Sequence, residues 1–487
     1  MPTVFGSGMV LQREKPIHVW GWAKPGAMAT VRFANTQADA VCGDDGRFDV
    51  SLPAQEANAS PQTMTVSVGD QTETLEDVLI GEVWVCSGQS NMQWPVNAAF
   101  DPDLEKLSAK YPNMRTITVP NVAAREPQRD FKGQWQAVTP ENIGDFSAVG
   151  YFFGRQLHLT LDVPIGLIDN AWGGSAADAW VPPLTLEEAG TYGDLLEKWA
   201  ERERTYDFEK LKADYQEKLD AWKDNGQKGN RPRGPRNLMT GNQRPGNLYY
   251  GVLSPIIGYT IRGVIWYQGE SNASRAYQYR DLFPRMIGKW REDWGQGDFS
   301  FYWVQLADFR AEKEAPEDSD WAELRQAQTE ANELPATGQA VIIDVGEGND
   351  IHPRDKQTVA KRLARLALAK DYGMSIVADS PVMKSVSFEG NQAIVKFDRV
   401  GGGMDSFDTA EVTGFSLAGE DGTYHRATGK ITAADTVAVT SPDVAEPKKL
   451  RYAWEDNPRV NLFNREGLPA TPFRSDNTTW ITEATTK

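Results

Sequence analysis

The sequence predicts an α/β protein: a parallel sheet wrapped by helices, with a smaller β-rich module at each end of the chain. Three observations carry this expectation. Between about residues 80 and 370, short and nearly continuous apolar runs alternate with helix-period segments, as buried parallel strands and their crossover helices do. Each apolar run opens into a Gly-rich polar loop, the texture of βα connections. Outside that stretch the pattern changes to apolar/polar alternation broken by turn residues, which reads as antiparallel sheet.

Residues 1–78 form the first alternating module, with runs such as Ile17-His18-Val19-Trp20 and Thr63-Met64-Thr65-Val66-Ser67-Val68 separated by Pro25-Gly26 and Asp44-Asp45-Gly46. A small antiparallel β-sandwich is expected there. Residues 79–374 form the α/β unit. Its strands are expected at 83–86, 116–119, 165–168, 263–267, 301–306 and 340–345. Its helices are expected near 151–159, 279–290, 321–332 and 356–368, the last keeping Val359, Leu363 and Leu366 on one face. An insertion at about 182–247 interrupts the unit. In it Phe208, Leu211, Tyr215, Leu219 and Trp222 recur at helical spacing, and the stretch 227–246 carries Lys228, Arg231, Arg233, Arg236 and Arg244 with no acidic residue. That basic stretch reads either as a solvated surface loop or as a lid over an acidic sugar. Residues 375–487 return to alternation, with 385–388 and 393–397 flanking the turn Glu389-Gly390-Asn391.

The chain has 51 basic and 68 acidic residues, a net charge of −17, so its field repels phosphate backbones and anionic lipid surfaces. Nucleic acid is not an expected partner. Membrane insertion is not expected either, because no window approaches the roughly 20 apolar residues that span a bilayer. The first residues lack a charged segment followed by an apolar one, which fits either a cytoplasmic protein or a chain trimmed of its leader. Cys42 and Cys86 fall in different modules and are expected to be free thiols.

Ligands of open α/β sheets gather beyond the carboxyl ends of the strands, so the loops there are where chemistry is sought. The first is Cys86-Ser87-Gly88-Gln89-Ser90-Asn91-Met92, in which Gly88 permits a tight turn and Ser90 opens a helix with its N–H available to an oxyanion. A Ser in that position also serves as a plain helix cap. The second is Asp169-Asn170-Ala171-Trp172-Gly173-Gly174-Ser175, where a glycine N–H can donate without a side chain blocking the substrate. The third is Tyr267-Gln268-Gly269-Glu270-Ser271-Asn272. Here Gln268 or Asn272 can offer a side-chain amide, and Glu270 can orient the loop or another group. The fourth is Asn349-Asp350-Ile351-His352-Pro353, in which His352 is a candidate base and Asp350 its partner. Of the four histidines, His18, His158 and His425 lie outside such loops, so any Ser hydrolase mechanism in this unit falls to His352.

These blocks resemble the sialate O-acetylesterase family of carbohydrate esterases, within the SGNH hydrolase superfamily. The likeness begins at Met9-Val10-Leu11-Gln12-Arg13 and Val19-Trp20-Gly21-Trp22-Ala23 and is most specific at Ser87-Gly88-Gln89-Ser90-Asn91-Met92 and Trp266-Tyr267-Gln268-Gly269-Glu270-Ser271-Asn272. It ends at Gly467-Leu468-Pro469-Ala470-Thr471-Pro472-Phe473-Arg474. The resemblance implies a flavodoxin-like three-layer α/β/α SGNH hydrolase domain with jelly-roll-like β-sandwich companions. It also implies an acyl-enzyme mechanism without metal or cofactor, an acetylated carbohydrate substrate, and a periplasmic or secreted setting. Position by position it makes Ser90 the nucleophile, His352 the base, and Ser90, Gly174 and Gln268 the oxyanion hole, with Gln89, Asn91, Glu270, Asn272, Trp94 and Trp172 in support.

The chain departs from the superfamily pattern in three places. Asn349 stands three before His352 where Asp is common, leaving Asp350 two before it. The third-block Asn has no single counterpart, and Gln268 is favoured over Asn272 because it directly follows the strand. Tyr250 stands where Asn commonly precedes Gly251. Trp94, Trp172, Trp180, Trp266 and Tyr267 flank the loops and can stack on sugars, although such aromatics are commonly core. Two rival readings are a glycoside hydrolase pairing Glu270 with Glu82, Glu347 or Asp350, and a non-catalytic carbohydrate-binding protein suggested by 16 tryptophans.

Overall fold

The computed structural model describes residues 1–484. Its centre is a sheet whose strands, in chain order, are β1 (Gln71–Gly88), β2 (Tyr111–Thr118), β3 (Gln136–Val138), β4 (Ile165–Asp169), β5 (Gly263–Tyr267), β6 (Ser300–Val304) and β7 (Thr337–Ala340). Across the sheet the order is β7-β6-β5-β1-β4-β2-β3, parallel throughout except for the antiparallel edge strand β3. Without the edge pair β2 and β3, the remaining strands run in the flavodoxin-like order. The chain leaves β1 toward one side of the sheet and later returns to its other side at β5, so β1 marks the topological switch point.

Two layers of helix cover this sheet, and the strand sequences say why. Val83 and Val85 of β1, Val264 and Trp266 of β5, and Phe301 and Trp303 of β6 face one core. That core also holds Tyr279, Phe283 and Trp290 of the helix Ala276–Trp294 and Leu324 of Asp320–Glu330. The alternate residues Trp84, Cys86, Ile265, Tyr267, Tyr302 and Val304 face the opposite core, with Tyr151 and Leu157 of Ala148–Leu161 and Val359, Leu363 and Leu366 of Lys356–Lys370. Apolar residues on both faces are what a doubly covered parallel strand requires.

The strand expected at 340–345 is displaced: the strand proper is Thr337–Ala340, and 341–345 has already left the sheet. Its apolar residues are consumed by two cores at once. Ile342 packs with the central unit, while Val341 and Ile343 join the core of the C-terminal module. An apolar run buried on both sides looks like a strand in sequence whether or not it hydrogen-bonds as one.

The N-terminal boundary expected after residue 78 falls inside a single strand. Residues 71–81 of β1 pair with Asn58–Val68 and Val10–Gln12, and residues 82–88 pair with β4 and β5. At the junction lies Glu82, fully buried and bonded by Gln12 Nε2 (2.9 Å), Arg13 Nε (2.5 Å) and Arg262 Nε (2.8 Å). These donors hold its carboxyl below the usual range despite burial. The C-terminal module is an antiparallel sheet that includes the expected hairpin Val382–Glu389 and Gln392–Asp398. The insertion contains three α-helices, Pro183–Ala189, Gly193–Thr205 and Phe208–Asp224. Cys42 and Cys86 are both free and buried. Among the described residues no helix is long and apolar enough to cross a membrane.

Candidate active site

Gly88 ends β1 at φ +133°, and a Cβ there would lie 2.2 Å from the Tyr267 carbonyl oxygen. Only glycine lets β1 and β5 stay this close while the chain turns. The next N–H, of Gln89, donates to that same carbonyl at 2.8 Å, which launches Ser90 into a one-turn helix, Ser90–Gln93. From the other end of the chain, the loop 346–355 carries His352 to the same rim. Its Nε2 lies 2.8 Å from Ser90 Oγ.

Trp94, read as either a sugar-stacking or a core residue, stacks its ring on the imidazole, with centroids 4.6 Å apart and planes within 10°. The Asp350 carboxylate accepts the backbone N–H of His352 at 2.9 Å, and the same Oδ1 stands 3.5 Å from Nδ1. It therefore shapes the turn firmly and bonds the ring weakly. Burial lowers the imidazole below its ordinary value; Asp350 opposes that shift and the Lys356 cation adds to it. The downward shift favours the neutral ring, the form a general base requires.

Beneath this pair lies Asn91, almost fully buried, with its side chain fully engaged. Its Nδ2 donates to Glu270 Oε1 at 2.6 Å and to the Ile351 carbonyl at 3.0 Å, while Oδ1 accepts from Lys356 Nζ at 2.6 Å. The residue after Ser90 thus grips the residue before His352. Burial pushes the Lys356 ammonium down to about 7 and raises Glu270. Glu270 reaches the base through this network and has no direct bond to it among the described residues.

The second loop lies against Ser90. A Cβ on Gly173 would meet Ser90 Cβ at 3.3 Å, and the Gly173 N–H donates to Gln93 Oε1 at 2.8 Å. Gly174 follows at φ +72°. The structure gives Gln268 a different task from the one expected. Its amide is fully buried, with Nε2 bonded to Ser175 O (3.2 Å) and Asn272 Oδ1 (2.8 Å) and Oε1 accepting from Tyr279 Oη (3.0 Å). Asn272 is also buried, its Oδ1 accepting from Gln268 and the Ala177 N–H and its Nδ2 donating to Asp178 Oδ2 at 3.4 Å. Both stitch the third loop to the second rather than facing an acyl oxygen. Gln89 is buried as well, its Oε1 facing the Gly269 and Ser271 N–H groups at 3.5 and 3.4 Å.

Trp180, Trp266 and Tyr267 are core residues, whereas Trp172 is half-buried at the rim. Glu82 sits at the far end of the short parallel part of β1, about 20 Å from Gly88 at 3.3 Å per residue, and Glu347 is engaged by Arg354. That weakens the paired-carboxylate reading. Sequence reasoning missed Gln93 and Lys356, which contact the second loop and Asn91. Gln93 was findable, being three residues after Ser90 on the same helical face. Lys356 was hidden by its ordinary place in an amphipathic helix.

An imidazole within hydrogen-bond distance of a serine hydroxyl, at the switch point of a doubly wound sheet, fits one class: an ester hydrolase with a Ser-bearing βα loop. The sequence model of the family described as "Carbohydrate esterase, sialic acid-specific acetylesterase" matches residues 80–219 and 245–369. The chain belongs to this family of carbohydrate acetylesterases. It is 31% identical to mouse sialate O-acetylesterase over 78% of this chain and 74% of that one. With the human sialate O-acetylesterase it shares 28% identity over 96% and 90% of the two chains. A solved carbohydrate acetylesterase from Xanthomonas citri is 37% identical, covers 98% of this chain and 99% of its own, and superposes with a TM-score of 0.83.

Proposed function

We propose that this protein removes O-acetyl groups from sugars through an acetyl-enzyme on Ser90, with His352 as general base and then general acid. The observation that carries the reading is the 2.8 Å approach of His352 Nε2 to Ser90 Oγ. His352 takes the hydroxyl proton as Oγ bonds to the acetyl carbon. The N–H groups of Ser90 and Gly174 receive the oxyanion. Collapse breaks the bond to the sugar oxygen, which leaves with the proton from His352. Water, deprotonated by the same imidazole, then attacks acetyl-Ser90 and releases acetate and the free hydroxyl. Asp350 steadies the turn and, more weakly, the ring.

The family and the named relatives support an acetylated sugar as substrate, with sialic acid and hemicellulose fragments such as xylan or xyloglucan as the classes to compare. Ser90→Ala is expected to abolish acetate release while leaving sugar binding intact, and an organophosphonate should label Ser90. Retained acetate release by Ser90→Ala would refute the reading, and a panel of acetylated glycans assayed for acetate would rank the substrates. A periplasmic or secreted location belongs to the same proposal, tested by fractionating cells of the native host.

A further inference from the structure

The loop bearing Gly174 is held from outside the central unit. Asn242 Nδ2 donates to the Gly173 carbonyl oxygen, and Gln243 Nε2 to that of Gly174. The Asn242 carbonyl accepts in return from the Ala176 N–H at 3.3 Å, so two strips of backbone lie side by side. The Gly173 carbonyl and the Gly174 N–H belong to one peptide plane, and there are no cis peptide bonds among the described residues. In a trans peptide those two groups point in opposite directions. Drawing the Gly173 oxygen toward Asn242 therefore turns the Gly174 N–H the other way. A donor on the carbonyl also polarises the unit and strengthens its N–H as a donor.

Asn242 is itself fixed. Asn247, fully buried, donates from Nδ2 to the Met239 and Gly241 carbonyls at 3.0 and 2.9 Å and accepts from Arg244 Nη1 at 3.1 Å. Arg244 Nε bonds Glu203 of the insertion helix Gly193–Thr205 at 2.5 Å. The family match breaks off between 219 and 245, so Asn242 and Gln243 fall outside its matched residues.

We propose that Asn242, seconded by Gln243, is a positioning residue that sets the direction and donor strength of the Gly174 N–H. On this view the helical insertion is a working part of the oxyanion hole. The inference rests on Gly174 being an oxyanion donor, as proposed above.

The test uses the full chain with 4-nitrophenyl acetate as substrate and a small alkylboronic acid as a mimic of the tetrahedral adduct on Ser90. Asn242→Ala is expected to lower kcat about ten- to a hundredfold, less than the 10²–10³ for deleting a donor outright. KM should stay within about twofold, and boronate affinity should fall by the same factor as kcat, because only the charged tetrahedral state uses the donor. Asn242→Asp, equal in size but unable to donate when ionised, should do the same, and it decides the matter if the Ala variant does not fold. Lys218→Ala, on the exposed face of the insertion helix Phe208–Asp224, should match the parent. An unchanged kcat in folded Asn242 variants, or a loss carried by KM alone, overturns the inference. Activity surviving in Ser90→Ala would instead sink the underlying acyl-enzyme reading, so the two failures are distinguishable.

Discussion

Replacing Gly88 with alanine tests how the fold aims Ser90. The new Cβ would start 2.2 Å from the Tyr267 carbonyl oxygen, whereas non-bonded atoms settle near about 3.5 Å. The β1 end and β5 must therefore part by about 1.3 Å, or the turn must rotate out of φ +133°. Holding an L-residue in such a region costs about 1–3 kcal/mol. Losing the Gln89 N–H bond to Tyr267 adds about 1 kcal/mol, so a destabilisation of about 2–4 kcal/mol is expected.

Ser90 lies two residues on. If it follows the turn outward, its 2.8 Å approach to His352 lengthens to about 4 Å, past hydrogen-bond range. A misplacement of about 1 Å costs on the order of a hundredfold. The expected result is a drop in kcat/KM of about a hundredfold or more for acetate release, with a lower urea midpoint. Gly26→Ala is the control: its φ is +75° and nothing lies within 4 Å of a new Cβ, so it should lose only about 1 kcal/mol or somewhat more of stability and no activity. Gly88→Ala activity within threefold of the parent would refute the claim that this glycine aims Ser90.

Lys356→Met should alter how stability depends on pH. The folded ammonium titrates at about 7 and the unfolded one near about 10.4, so between these values the unfolded chain binds more protons. The parent should gain up to about 1.4 kcal/mol per pH unit over that window relative to the variant; urea unfolding curves that keep a constant offset from pH 7.5 to 9 would contradict this. Asp350→Asn should shift the acid limb of kcat/KM to lower pH, because the carboxylate raises the lowered imidazole. With Asp350 more than half exposed and 3.5 Å from Nδ1, the loss at neutral pH should stay below about tenfold, the scale of an exposed ion pair. A loss of a thousandfold would make Asp350 a full partner of the base.

The buried strands were legible because a strand covered on both faces must be apolar at nearly every position, and 263–267 was read to the residue. The run at 340–345 misled for the same reason, since burial between two cores leaves the same trace as burial within a sheet. Ser90 and His352 were recognisable as candidates because each follows an apolar run with polar residues of the right chemistry. Their separation of 262 positions was invisible as proximity.

The order of residues alone determined the α/β class, the β-rich ends, the loops that carry chemistry and the residue types in them, since periodicity and turn chemistry act locally along the chain. Tertiary structure alone decided which side-chain groups are free to act. Gln268 looks like an oxyanion donor until its burial gives both amide protons to Ser175 and Asn272, and Asn272 until its Oδ1 and Nδ2 are drawn to Gln268, Ala177 and Asp178. Asn91 has no more than a supporting part, and Asn242 none, until the fold sets them against Ile351 and Gly173. A hydrogen bond depends on direction and distance between groups far apart in the chain, and neither is written in sequence spacing.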